Sequence, residues 1–184
     1  MNALQLLTSR RSEKKLVEPA PSAEELEQMF QAALHVPDHG HLQPYRFIVI
    51  ENEGLEQLEK LLKDVVFEFD LGEERIKKAE NLAKRAPMVI GVVAKIRRDI
   101  EKIPAWEQML TAGCATYAIQ LAANALGYAN VWISGKWVDG AELRNAFHCE
   151  ATDKVIGLLM IGSAEEKIIR DRKQLDSSSF VSYL

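Results

Sequence analysis

The sequence predicts a layered α+β fold, a central mixed sheet flanked by helices, from three observations. Helical periodicity outweighs strand pattern, the strand-like runs are separated by helices, and two of those runs are continuously apolar. A chain of 184 residues with 47% hydrophobic and 27% charged content has the balance of a folded protein with a substantial core. No repeat or low-complexity segment interrupts it, so residues 1–184 are read as one domain.

The elements follow in order. Ala3 to Arg10 reads as a short amphipathic helix with Leu4, Leu6 and Leu7 facing inward. A proline-containing linker from Glu18 to Pro21 precedes a second helix starting at Ser22, where Glu25 completes a capping box. Its inner face is Leu26, Met29, Phe30 and Ala33, and Pro37 ends it, because the residue before a proline avoids helical geometry. A polar loop then runs into Tyr45 to Ile50, a strand rich in β-formers. Helical pattern returns from Leu55 to Val66 and from Glu73 to Lys84. Pro87 opens a continuous apolar strand, Met88 to Ala94, suited to a central position with both faces covered. A long helix from Trp106 to Leu126 ends at Gly127, a good C-terminal cap. Val131 to Ser134 is a short strand, Asp139 or Gly140 begins a last small helix, and Val155 to Ile161 is another buried strand. The tail from Lys167 to Leu184 is mixed. The long helix is apolar or small nearly all round, which predicts a core helix also used in a dimer interface, with a purely intrachain core helix as the alternative.

Bulk properties exclude several functions. A net charge of -4 and a pI near 5.7 repel polyphosphate, so no nucleic-acid partner is expected. The longest apolar run, Met109 to Leu126, carries Thr111, Thr116, Gln120 and Asn124, which fits a buried helix rather than a membrane span. Met1 to Arg10 lacks the features of a secretory signal, so a cytoplasmic location is expected. Cys114 and Cys149 match no paired spacing and read as buried, reduced thiols. No Gly-x-Gly-x-x-Gly run, P-loop or Gly-x-Ser-x-Gly elbow is present, which argues against a Rossmann dinucleotide site, a nucleotide triphosphatase and an α/β hydrolase.

Three stretches remain as candidates for chemistry. Arg10-Arg11-Ser12-Glu13-Lys14-Lys15 concentrates positive charge at a helix end; guanidinium forks suit phosphate, although a solvated basic helix end explains the cluster equally well. The loop His35-Val36-Pro37-Asp38-His39-Gly40-His41-Leu42-Gln43-Pro44 holds three of the four histidines. It reads as a ligand-contacting loop ahead of a metal site built from His35, Asp38, His39 and His41, because Pro37 breaks the helical spacing; a plain surface loop is the simpler account. Trp132-Ile133-Ser134-Gly135 ends a strand where a flat ligand could meet an aromatic wall, or where Trp132 is simply core.

Taken in order, these pieces carry a resemblance. Arg10-Arg11-Ser12, the run from Ala33 through His39 to Gln43-Pro44-Tyr45-Arg46-Phe47, Cys114 within a helix, Trp132-Ile133-Ser134-Gly135 and the Phe180-Val181-Ser182-Tyr183 tail resemble the FMN-dependent nitroreductase family, and most closely its short, YdjA-like branch. The likeness spans the whole chain and implies a nitroreductase-like α+β fold in an intertwined homodimer with FMN at the subunit interface. It implies that Arg10, Arg11 and Ser12 hold the flavin phosphate and that Lys14 stands near the pyrimidine edge, where a fixed cation would raise the reduction potential. By the same resemblance His35 and His39 reach the flavin held mainly by the partner chain, Trp132, Ile133 and Ser134 line its other side, and Gly135 allows close backbone approach. Ala122, Ala123, Asn124, Ala125, Leu126 and Gly127 match a stretch assigned to the nicotinamide. His35 and Ile133 stand where a close relative has arginine, and Tyr45 replaces a more usual tryptophan; His35 thus makes the partner's charge pH-dependent.

The implied activity is ping-pong hydride transfer from NADH or NADPH through the flavin to a nitroaromatic, quinone or similar small acceptor, with no catalytic side chain required. Proton delivery falls to solvent or His39. Dehalogenation, enone reduction and flavin turnover are variants on the same scaffold. A non-catalytic flavin- or metabolite-binding sensor is the alternative from another class, followed by metal binding through the His-rich loop.

Overall fold

Alternation along two apolar strands organises the molecule. A computed structural model describes residues 2–166 and 176–184. Strand β3 (Met88–Ala94) is buried along its whole length, and β5 (Lys154–Ala164) nearly so. Successive side chains on a strand point to opposite faces, so Val89 and Val93 join Leu158 and Met160 in one core, while Ile90 and Val92 join Leu159 and Ile161 in the other. The first core is closed by α3 (Glu53–Glu68), α4 (Glu73–Ala83) and α6 (Ala141–Ala146). The second is closed by α2 (Ala23–Leu34) and α5 (Ala105–Ala125).

β5 is the hub of the five-stranded sheet. It pairs with β3, with β4 (Ala129–Ile133) and, at Ser163 and Ala164, with the two-residue β1 (Leu16–Val17), while β3 pairs on its other side with β2 (Tyr45–Glu51). The α+β class with helices flanking the sheet holds. The mixed sheet does not: every pairing among the described residues is antiparallel. The continuous apolar runs that suggest parallel strands arise here because helices cover both faces of an antiparallel sheet.

Ser22 caps α2, its hydroxyl accepting from the Glu25 N–H while the Glu25 carboxylate accepts from the Ser22 N–H at 2.8 Å, so the capping box forms as its spacing requires. The helix yields at Leu34 with His35 as its cap, ahead of Pro37. α1 (Ala3–Ser9) departs from expectation. None of its residues is buried, Leu4 being 74% and Leu7 43% exposed, because among the described residues α1 packs chiefly against α5 and its apolar side stays open.

α5 has two apolar faces. Ala112, Ala115, Ile119 and Ala123 pack inward, whereas Trp106 and Leu110, each 60% exposed, lie on an outer face with Met109, Cys114 and Tyr117. Cys114 is thus not buried in the chain, contrary to the sequence reading, although both thiols are free. Cys149 is half-buried, and burial pushes its thiol up. Among the described residues no helix is long and apolar enough to cross a membrane. Of the tail, Lys167 to Leu175 lies outside the described residues; Phe180 and Tyr183 are exposed.

Candidate functional site

The basic segment lies along the strand that carries Trp132. Asn2 and Gln5 form a capping box that starts α1, and Arg10 ends it, its N–H donating to the Leu6 carbonyl. From there the chain reaches β4, where the Glu13 N–H donates to the Asn130 carbonyl at 3.0 Å. Asn130 is fully buried and fixed by two bonds with Gln120 of α5: the Gln120 amide donates to Asn130 Oδ1 at 2.8 Å, and Asn130 Nδ2 donates back to the Gln120 carbonyl. Arg10 and Arg11 are half-buried, and Ser12 and Lys14 are exposed. Arg11 pairs with Glu13, and Lys15 with Glu165 at 3.3 Å. Two guanidinium groups and a hydroxyl on three successive residues form a donor set suited to a phosphate.

At the end of β4, the Trp132 indole N–H donates to the Ile156 carbonyl at 3.2 Å, and the ring packs beside the second core. Gly157 is required there, because a Cβ at that position would run into the indole. Trp132 is therefore core along part of its surface and open along the rest. Ile133 is half-buried and Ser134 exposed. Gly135 has φ 75°, with nothing within 4 Å of a notional Cβ, so the backbone there borders open space.

The histidine loop is tethered elsewhere. His35 caps α2 with its Nδ1–H donating to the Gln31 carbonyl at 2.7 Å. His39 Nδ1 lies 2.7 Å from Glu107 in the first turn of α5, and the Thr111 hydroxyl donates to the Pro37 carbonyl at 3.2 Å. Asp38 accepts from the Gln43 N–H at 2.7 Å, folding the loop on itself, while Gly40 takes φ 72° over Ile103. Burial, reinforced by the Asp38 charge, holds the Tyr45 phenol above its ordinary value. The loop histidines thus do not converge: among the described residues no group of three or more His, Cys, Asp or Glu could hold a metal ion.

One chain therefore ties the basic segment, through Glu13, to β4 at Asn130, two residues before Trp132, but anchors the His39 loop at a different level. From Glu107 to Gln120, the anchors of the two groups, α5 rises about 20 Å at roughly 1.5 Å per residue. The run Ala122 to Gly127 closes the far end of α5. Ala123 is buried, Asn124 Nδ2 donates to the Tyr128 carbonyl, and Gly127 turns the chain with φ 93°. Asn124 Oδ1 is buried without a partner. Two clefts, of about 440 Å³ beside β1 and α4 and about 210 Å³ between β2 and α3, are lined by none of the predicted site residues.

Sequence reasoning missed Glu107 and the Gln120–Asn130 pair. Glu107 had a signal, as the only charged residue in an otherwise uncharged helix; the buried amide pair had none, because its partners are joined only by the fold.

Known proteins bear on this arrangement in three ways. A relative from Haemophilus influenzae with the provisional name NAD(P)H nitroreductase is 63% identical over 184 residues, covering 100% of both chains. YdjA of Escherichia coli strain K12, provisionally named in the same way, is 40% identical over 183 residues and also covers 100% of both. Among solved structures, a nitroreductase with bound FMN from Bacteroides fragilis superposes with a TM-score of 0.75 at 20% identity, covering 100% of each chain, which shows a shared fold. The Nitroreductase family model matches residues 7–163, from the first helix to the end of the hub strand. By fold, by full-length relatives and by that match, the chain belongs to the nitroreductase family.

Proposed function

We propose that the chain, acting as one domain over residues 1–184, is an FMN-dependent NAD(P)H oxidoreductase that works as a homodimer, with one FMN shared between subunits at each site. The observation that carries this reading is the backbone bond from Glu13, next to the basic segment Arg10–Ser12, to Asn130 on the strand that ends in Trp132 and Ile133, with the histidine loop anchored about 20 Å away along α5. The relative names and the bound FMN of the Bacteroides fragilis protein supply the cofactor and electron donor.

The donor set fits the cofactor. Arg10, Arg11 and Ser12 would hold its phosphate through charge-assisted bonds, and Lys14 would stabilise negative charge on its ring. Trp132, Ile133, Ser134 and the open backbone at Gly135 would line one side of the ring. His35 and His39 of a second copy would close the other, and the outer apolar face of α5 with the uncovered side of α1 supplies a surface over which two copies can pack. Bound there, FMN would supply hydride-transfer chemistry between a reduced nicotinamide and a small acceptor such as a nitroaromatic or quinone. The chain's own part is to bind, to orient and to exclude water; the run Ala122 to Gly127 is assigned to the nicotinamide in this reading.

The purified protein is expected to be yellow and to bleach on anaerobic addition of NADH or NADPH, recovering colour when an acceptor is supplied. A colourless protein that FMN does not reconstitute rules the reading out, and bound FMN that neither nicotinamide reduces points instead to a flavin sensor.

A further inference from the structure

The His39 side chain makes a contact with a residue far along the chain. His39 Nδ1 lies 2.7 Å from the Glu107 carboxylate, across 68 positions of sequence. The loop's own carboxylate faces elsewhere, Asp38 Oδ2 accepting from the Gln43 N–H. The ring is not held by packing either: its side chain is 62% exposed, so a single directional bond decides which way it faces. Glu107 itself is well placed, being 27% exposed in the first turn of α5, where negative charge is favoured by the helix dipole. An ionised carboxylate accepts only, so the imidazole nitrogen facing it carries the hydrogen.

We propose that Glu107 is a positioning residue that fixes His39 as its Nδ1–H form, leaving Nε2 on the opposite, exposed edge of the ring as an acceptor for an N–H or O–H of the cofactor held by the partner subunit. The inference rests on the functional reading above for the identity of that ligand. It goes beyond it in assigning a role to Glu107 and a tautomer to His39. The Thr111–Pro37 bond and the close seating of Gly40 over Ile103 fix the loop backbone independently, so Glu107 acts on the ring rather than on the fold of the loop.

The test has two arms. In the first, imidazole nitrogen shifts of the flavin-free chain are read by NMR above pH 8, in wild type, E107A and H39A, the last to assign the signal. His39 should be the Nδ1–H form in wild type and revert in E107A to the Nε2–H form that a free imidazole prefers. In the second, FMN affinity is measured by fluorescence quenching. E107A and H39A should each weaken binding roughly 3- to 10-fold, and the double variant should be no weaker than H39A alone, because both remove one hydrogen bond. An unchanged tautomer in E107A, or additive losses in the double variant, overturns the proposal. A wild-type chain that takes up no FMN defeats the functional reading, and the tautomer arm then decides the role of Glu107 by itself.

Discussion

Single side chains carry the most direct tests. Removing the Arg10 guanidinium by Arg10→Ala should weaken FMN binding by about 1–3 kcal/mol, the cost of charge-assisted bonds to a phosphate, as read by flavin fluorescence titration; unchanged affinity would take Arg10 out of the site. A second test concerns Asp153, which is 4% exposed. Burial alone would raise its carboxyl, but the Lys95 ammonium at 2.6 Å and the Glu150 N–H at 2.8 Å hold it below the ordinary carboxylate range. A depressed carboxyl stabilises the fold above its unfolded value and loses that contribution as pH falls through the lower folded value. Asp153→Asn should therefore cost about 2 kcal/mol at neutral pH, less than a fully buried orphaned charge because Lys95 retains contact with water. The gap in melting temperature should close as pH drops below about 4. At this scale the sequence was legible where one residue type has one use: Ser22 and Glu25 cap a helix, and Gly127 ends one. It marked Glu107 as a lone charge but not its partner His39, 68 positions away, and it was silent on Gln120–Asn130, a pair that only the fold joins.

Whole elements were legible when their pattern was strong. The span of β3 falls where Pro87 and the apolar run put it, and α5 begins and ends within one residue of its expected limits. β1 was not foreseen, since two residues contain no period to read, and α1 was assigned an inner face that a single chain does not cover. Periodicity reports that a face is apolar, not what covers it. The seating of β4 against β5 depends on a missing side chain at Gly157. Gly157→Ala should push the indole of Trp132 off the Ile156 carbonyl, destabilise the protein by about 1–3 kcal/mol and shift its intrinsic fluorescence. An unaltered emission spectrum would mean that the ring had room to spare.

The molecule as a whole leaves Trp106, Leu110 and Tyr117 of α5 and Leu4 and Leu7 of α1 facing outward. If a second copy covers them, sedimentation at micromolar concentration should show a dimer. Leu110→Glu, which alters a side chain 60% exposed in one chain, should give a folded monomer that no longer retains FMN. A flavin-loaded monomer would contradict the shared site. Assembly of the sheet has its own consequence for synthesis. β5 supplies partners to β1, β3 and β4, yet among the described residues it is the last strand to be made. Until Lys154 to Ala164 clears the ribosome, the paired strands β2 and β3 offer an open hydrogen-bonding edge and α2 and α5 lack half of their floor. Nascent chains stalled before this strand should consequently be the species that chaperones bind and proteases cut.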